Sequence, residues 1–143
     1  MIAPHERPMP GPAAAFASAL SAQLPRLETA RLVLRAPALT DLDAWHEVLA
    51  GPAALWLGGP FTRDESFAEF ATSVGLWLLR GHGLWTVDTR RGQTLGFILL
   101  GLEPGDHEPE LGFLFRPDAE GQGYAAEAAR EVLLAFGFQR QRV

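Results

Sequence analysis

The stretch from Glu110 to Phe138, ELGFLFRPDAEGQGYAAEAAREVLLAFGF, predicts a strand, a tight turn and a helix in immediate succession. The strand covers Glu110 to Phe115, an apolar run rich in aromatic residues, and Pro117 ends it because proline cannot donate a hydrogen bond to a sheet. Apolar residues then recur every three or four positions from Tyr124, which is the spacing of one helix face. They are Ala125, Ala128, Ala129, Val132, Leu133 and Phe136.

The turn between them, Glu120 to Gly123, carries the chemistry. The first N–H groups of a helix have no partner within the helix, and the helix dipole adds positive charge at the same end. Glycine lets a bulky anion approach the backbone closely. The pattern therefore predicts a phosphate or pyrophosphate site at the start of this helix. An ordinary strand-to-helix turn containing glycine is the alternative, since short glycine patterns are weak signals.

Two well-known phosphate loops fit less well. Gly121, Gly123 and Ala126 match the GxGxx(G/A) pattern of dinucleotide-binding proteins. That pattern needs an acidic residue about 20 positions further on, and the sequence reaches only Val143. The phosphate loop of nucleotide triphosphatases needs a lysine, and this sequence has none.

The two segments Glu110–Pro117 and Glu120–Ala128 together resemble the acetyl-CoA signature of GNAT-type N-acetyltransferases, most of all the branch of ribosomal-protein N-acetyltransferases. The motif (Q/R)-x-x-G-x-(G/A) falls on Glu120 to Ala125, where Glu120 departs from the usual first residue. The run LETARLVLR, Leu27 to Arg35, resembles the opening of the same branch. The resemblance implies an α+β domain over residues 26–143, with a mixed, mostly antiparallel sheet flanked by helices. Residues 1–25 are expected to form a flexible extension.

The same resemblance implies where acetyl-CoA, the cosubstrate, would bind. The backbone of β-strand residues would pair with the pantetheine arm, and a backbone donor near Phe113 would stabilise the oxyanion. The pairing residues are Leu114, Phe115 and Arg116. Backbone N–H groups of the turn would hold the pyrophosphate; they belong to Gly121, Gln122, Gly123, Tyr124 and Ala125.

Glu110 is the candidate catalytic base, because the family often carries a carboxylate at the start of this strand, facing the acceptor. It would act directly or through a water. A solvated Glu110, or one paired with an arginine, is the alternative, and His107 and Glu108 are the other candidate bases. We interpret Glu127 as structural, since a carboxylate in the first turn of a helix favours the dipole. Arg116 either contacts the cofactor phosphates or is simply exposed.

The remaining sequence predicts further elements around this stretch. Strands are expected at Leu32–Arg35, Leu84–Thr89 and Thr94–Leu100, the last two joined by a hairpin at residues 90–93. With the strand from Glu110 that follows, these two are expected to form a three-stranded antiparallel meander. One helix is expected from Asp41 to Ala50, with capping side chains supplied by residues 40–43, and a loop from Gly51 to Pro60. Another helix is expected after Thr62, with Glu65 completing a capping box. Met1 to Pro12 contains four prolines and predicts extended or disordered chain, followed by a short helix from Ala13 to Leu24. The aromatic residues Trp56, Phe67 and Trp77 are expected in the core or a lid.

Composition excludes some classes of function. The net charge of −5 argues against a nucleic-acid-binding face and is compatible with a cationic acceptor such as an amine. The absence of cysteine excludes a thiol nucleophile and a thiolate metal site, and no metal is expected. No apolar run reaches 18 residues, so we expect no membrane span and a cytoplasmic protein.

The resemblance also implies a fold that continues beyond this sequence, with another strand, a helix and a final strand. We therefore expect a C-terminally incomplete domain whose open sheet edge could pair with a second copy. The functional hypothesis is acetyl-CoA-dependent N-acetylation of a primary amine, either a protein N-terminus or a small molecule, by direct attack. The alternative is a non-catalytic CoA-binding or partner-dependent fragment.

Overall fold

The structure, a computed structural model, describes residues 2–137. Five strands form one sheet: β1 (Leu27–Glu28), β2 (Leu32–Arg35), β3 (Leu84–Thr89), β4 (Thr94–Gly101) and β5 (Glu110–Phe115). Four α-helices accompany it: α1 (Pro12–Gln23), α2 (Leu42–Leu49), α3 (Arg63–Arg80) and α4 (Tyr124–Ala135). Short 3₁₀ turns lie at Pro4–Glu6, Leu39–Asp41, Pro52–Leu57 and Pro117–Ala119.

The sheet follows the order of the chain, and each strand is antiparallel to the next. The pairing of β4 with β5 runs from Gly96 opposite Phe115 to Gly101 opposite Glu110. Leu95 is skipped in the pairing between β3 and β4, which marks a bulge. Within residues 2–137, β5 has a strand on one side only, so it forms an edge of the sheet.

The two faces of the sheet bury separate clusters of side chains. On one face, α2 and α3 pack against Leu84 and Phe97, with Trp45 at the centre. On the other face, Ala128 and Val132 of α4 pack against a second cluster, whose sheet residues are Leu32, Leu34, Trp85, Val87, Leu95, Ile98, Leu100 and Phe115. The alternation of side chains along β5 therefore decides which residues face which helices.

The sequence-based expectations for the strands are confirmed, and the meander of β3, β4 and β5 extends into the five-stranded sheet. The capping box is also confirmed: Thr62 N donates to Glu65 Oε1 at 2.9 Å, and Glu65 N donates to Thr62 Oγ1 at 3.2 Å. The helix after the turn of residues 120–123 ends at Ala135, three residues before the expected end at Phe138, which itself lies outside the described residues.

Two local expectations need correction. The segment 51–60, expected as a loop, contains a 3₁₀ turn. The start of α2 is not capped by a side chain, because the Asp41 carboxylate accepts instead from Ala38 N at 2.8 Å and from Arg35. The Asp41 side chain therefore links β2 to the start of α2 and does not cap the helix.

Aromatic side chains bear out the packing expectation where they are described. Trp77 lies 4.8 Å from Trp85, ring centre to ring centre, in an edge-to-face arrangement, and its Nε1 donates to Leu84 O at 2.9 Å. Phe67 packs against the cluster under α2 and α3. The side chain of Trp56 lies outside what the structure describes.

The N-terminal segment contains the expected short helix, α1, none of whose residues is buried. Before it, Glu6 Oε1 lies 2.6 Å from Arg63 Nη2 at the start of α3. The flexibility of residues 1–25 stays a prediction. In the described part of the chain, no helix combines the length and the apolar character needed to cross a bilayer.

Candidate active site

The turn between β5 and α4 presents a row of free backbone donors. Gly121 and Gly123 both have positive φ, 78° and 81°, which glycine adopts without steric cost. Gly123 is the N-cap of α4 and no side chain caps this end. The N–H groups from Gly123 to Ala126 make no hydrogen bond to another group in residues 2–137. The turn thus has the unpaired donors and the dipole that an anion site requires.

The open edge of β5 comes shortly before this turn in the chain. Leu100 N donates to the carbonyl of Gly83, the residue just before β3, so the alternation of an antiparallel ladder turns the backbone groups of Leu99 towards β5. Leu99 pairs with Gly112. By the same alternation, the N–H and C=O groups of Phe113 and Phe115 point to the open edge. Those of Leu114 point to β4, and its side chain faces the helices α2 and α3.

A cleft of about 1210 Å³ lies between β5, the end of β4, and the helices α2 and α3. Its walls combine apolar residues such as Trp45, Phe61 and Leu76 with a set of carboxylates. The carboxylates belong to Glu69, Glu103, Asp106, Glu110 and Glu120. No arginine or histidine is among its described lining residues, so the cleft has a negative potential.

Of the three candidate bases, only Glu110 lines this cleft. Glu110 is the exposed first residue of β5 and shares a face of that strand with Leu114. His107 and Glu108 are exposed on the loop before β5 and are not among the lining residues. Phe113 also lines the same cleft.

Arg116 is already engaged by carboxylates. Its Nη2 lies 3.3 Å from Glu47 Oε1 on α2, and its Nε lies 3.8 Å from Asp118 Oδ1. Arg116 N also donates to Leu95 O at 2.9 Å. Its backbone therefore belongs to the sheet, and its side chain would have to leave two acidic neighbours to reach a phosphate.

Glu127 ties the first turn of α4 to the turn between β1 and β2. Its carboxylate accepts from Thr29 Oγ1, from Arg31 N at 3.0 Å and from Arg31 Nε at 2.7 Å. Burial alone would raise the pKa of Glu127, but the hydrogen bonds from Thr29 and Arg31 outweigh it and hold that pKa below its ordinary value. The structural role expected for Glu127 is thus borne out, and Arg31 is a partner that sequence reasoning missed.

Comparison with known proteins agrees with this arrangement. The model of the acetyltransferase (GNAT) domain family matches residues 31–143, which is most of the chain. The chain belongs to the GNAT acetyltransferase family. The fold expected from the resemblance, an α+β domain with a mostly antiparallel sheet, is confirmed by this match and by the sheet described above.

Individual GNAT relatives cover the chain to different extents. The FsC-acetyl coenzyme A-N(2)-transacetylase of Aspergillus fumigatus is 34% identical over 129 residues, covering 76% of this chain and 51% of the relative. This chain thus spans about half the length of that curated relative. A crystal structure of an acetyltransferase from Agrobacterium tumefaciens is 35% identical with a TM-score of 0.73, and the match covers 82% of this chain and 68% of that one.

The expected likeness to ribosomal-protein N-acetyltransferases also holds at the level of fold. A Salmonella typhimurium acetyltransferase that modifies the N-terminal serine of ribosomal protein L7/L12 has a TM-score of 0.63 and 17% identity. The match covers 79% of this chain and 68% of that one. This identity supports the shared GNAT fold and says nothing about the acceptor.

Proposed function

We propose that this GNAT chain binds acetyl-CoA and transfers its acetyl group to a primary amine by direct attack. The observation that carries the proposal is the uncapped, glycine-flanked start of α4 at the end of an open-edged strand. An anion site made of backbone donors there lies next to a strand edge that can pair with an amide-rich chain. In CoA the anionic pyrophosphate is joined to the amide-containing pantetheine arm, so the two parts of the cofactor match the anion site and the strand edge in the same order.

The cofactor would be held by main-chain groups. Pyrophosphate would bind at the N–H groups of Gly121, Gln122, Gly123, Tyr124 and Ala125, where the helix dipole is favourable. The outward N–H and C=O groups of Phe115 would pair with an amide of the pantetheine arm. Leu114 and Arg116, expected to pair with it as well, would border it instead, because the backbone groups of Leu114 and the N–H of Arg116 point to β4. Phe113 N–H, also directed to the open edge, would donate to the thioester oxygen as negative charge develops there.

The chemistry then needs an uncharged amine. A lysine-type amine has a pKa near 10.4 and an α-amine a pKa near 8, so a base must accept a proton. Glu110 would take it, directly or through a water, while the nitrogen forms a bond to the acetyl carbon. The carbon–sulfur bond breaks with its electron pair on the CoA sulfur; the nitrogen gives up its second proton to solvent, and the thiolate takes up one proton from solvent.

The cleft favours a cationic acceptor. Five carboxylates line it without a compensating arginine, and a protonated amine would be concentrated in such a field before it loses its proton. The apolar wall formed by Trp45, Phe61 and Leu76 suits the carbon skeleton of a small molecule or of a peptide N-terminus. No residue of the cleft decides between these two acceptors.

The first test is calorimetric titration with acetyl-CoA of the wild-type chain and two glycine variants. Gly121→Leu places a side chain in open space on the turn Glu120–Gly123, which we call the pyrophosphate turn. Gly92→Leu does the same in the β3–β4 hairpin at a similar positive φ. Both variants carry the same backbone strain. We expect Gly121→Leu to weaken binding at least tenfold, about 1.4 kcal/mol, and Gly92→Leu to bind like the wild type. Absence of binding by the wild type, or equal loss in both variants, would contradict the proposal.

The second test separates the base from the cofactor site. Glu110→Gln is expected to lower kcat by about 10²–10⁴-fold, the usual contribution of a general base, without changing the affinity for acetyl-CoA. Glu108→Gln is the control, because Glu108 is exposed two residues away and does not line the cleft. The readout is thiol release with a panel of amines. Equal rates for wild type and Glu110→Gln would remove Glu110 from the mechanism.

The same panel addresses the non-catalytic alternative. Tight acetyl-CoA binding with no thiol release on any amine would support a CoA-binding or partner-dependent role.

A further inference from the structure

The side chain of Arg31, which is remote in sequence, contacts the pyrophosphate turn. Arg31 lies in the short connection between β1 and β2, yet its Nη1 donates to Gln122 O at 2.9 Å. Its Nε donates to Glu127 Oε1 at 2.7 Å, and its guanidinium carbon lies 4.5 Å from the centre of the Tyr124 ring. One arginine therefore contacts the turn, the ring of Tyr124 at the start of α4 and the carboxylate of Glu127 in the first turn of that helix.

The bond to Gln122 O fixes the orientation of one peptide group. In a trans peptide the C=O and the following N–H point in opposite directions. Because Arg31 holds the Gln122 carbonyl, Gly123 N–H points away from Arg31, and that N–H has no partner in the described chain. A flip of this peptide would instead turn a carbonyl oxygen towards the anion.

Such a flip is otherwise easy at this position. A flip of this peptide changes ψ of Gln122 and φ of Gly123; Gly123 has positive φ, and glycine changes between φ regions at little cost. No side chain caps the start of α4. The orientation of the Gln122–Gly123 peptide thus depends on a contact from outside the turn.

We propose that Arg31, anchored by Glu127, is a positioning residue that holds the Gln122–Gly123 peptide with its N–H towards the cofactor pyrophosphate. The inference rests on the proposed function. It assigns Arg31 a role behind the turn and not a direct contact with the cofactor. Thr29 completes the anchor, since its hydroxyl also donates to Glu127.

The test compares ligands with and without the pyrophosphate. Acetyl-CoA is titrated directly, and acetyl-pantetheine, which lacks the phosphates, is measured by displacement. Arg31→Ala is expected to weaken acetyl-CoA binding about tenfold, the effect of losing a hydrogen bond from a charged donor, and to leave acetyl-pantetheine unchanged. Arg31→Lys keeps the charge without the planar fork and should recover only part of the loss.

Arg90→Ala is the matched control. The Arg90 side chain is 49% exposed against 46% for Arg31, and it donates to Thr29 O in the same connection without touching the pyrophosphate turn. Arg90→Ala should bind both ligands like the wild type.

Three outcomes would overturn the inference alone: unchanged acetyl-CoA affinity in Arg31→Ala, an equal loss for both ligands, or the same loss in Arg90→Ala. Failure of the wild type to bind acetyl-CoA would overturn the proposed function and this inference with it.

Discussion

Two arginines four positions apart, Arg31 and Arg35, make ion pairs of similar length but differ in how far their side chains are buried. Arg35 Nη2 lies 2.7 Å from Asp41 Oδ1, and Arg35 Nε lies 2.7 Å from Asp88 Oδ2. Arg31 Nε lies at the same distance from Glu127 Oε1. The contacts match in length, but the side chain of Arg35 is 26% exposed and that of Arg31 is 46% exposed.

The carboxylate partners differ as well. Asp41 is 5% exposed and also accepts from Thr86 Oγ1 at 2.9 Å, whereas Glu127 is 16% exposed and its arginine also donates to a carbonyl of the glycine-rich turn. A buried carboxylate depends on its cation for the stability of the whole fold, because an unpaired buried charge is costly. An exposed ion pair adds little to stability, so its value lies in the geometry that it holds.

The largest expected effect is on the buried side of this comparison. Arg35→Ala leaves the carboxylates of Asp41 and Asp88 without their cation and should lower the free energy of unfolding by about 3 kcal/mol. Arg31→Ala should lower it by less than about 1 kcal/mol. Urea unfolding of both variants at pH 7, followed by tryptophan fluorescence, measures the difference.

Affinity should show the opposite order. The folded fraction of Arg35→Ala is expected to bind acetyl-CoA like the wild type, because Arg35 joins β2 to Asp41 and Asp88 and has no described contact with the pyrophosphate turn. Equal losses of stability in the two variants would break the comparison, as would a loss of affinity confined to Arg35→Ala.

The backbone conformation of the candidate site could be predicted from the sequence. The strand from Glu110 to Phe115 begins and ends where the aromatic run predicts, and the glycines of the turn have the positive φ that makes them informative. These features are local, since an apolar period or a glycine pair determines its own few residues. The pairing of β5 with β4 followed from the same local pattern.

The anchor at Arg31 could not be predicted in the same way. Arg31 and Gln122 are 91 positions apart, and nothing in LETARLVLR shows which of its arginines faces the turn. The acidic cleft is similar, because Glu69 and Glu110 come together only when α3 packs over the sheet. A signal was available in Glu127: its position in the first helix turn predicts a structural role but does not identify its partner.

The smallest expected effect concerns the pH dependence of the Glu127 anchor. The pKa of Glu127 is lower in the folded chain than its ordinary value, since the hydrogen bonds from Thr29 and Arg31 outweigh burial. A carboxyl group of this kind stabilises the fold above its unfolded pKa, near 4.3, and loses that contribution as the pH falls through the lowered folded value. The difference in unfolding free energy between wild type and Glu127→Gln should therefore be greatest at pH 6–7, below about 1 kcal/mol, and should shrink below about pH 4.

The same pair of variants made in an Arg31→Ala background is the control for this pH effect. Without Arg31, Glu127 keeps the Thr29 hydroxyl but loses two of its described hydrogen bonds if the backbone of the β1–β2 connection shifts, and one if it stays. The pH-dependent part of the difference should decrease in either case, because fewer donors favour the charged form. An undiminished pH dependence would mean that Arg31 does not hold Glu127, and the contrast between the two arginines would then rest on Arg35 alone.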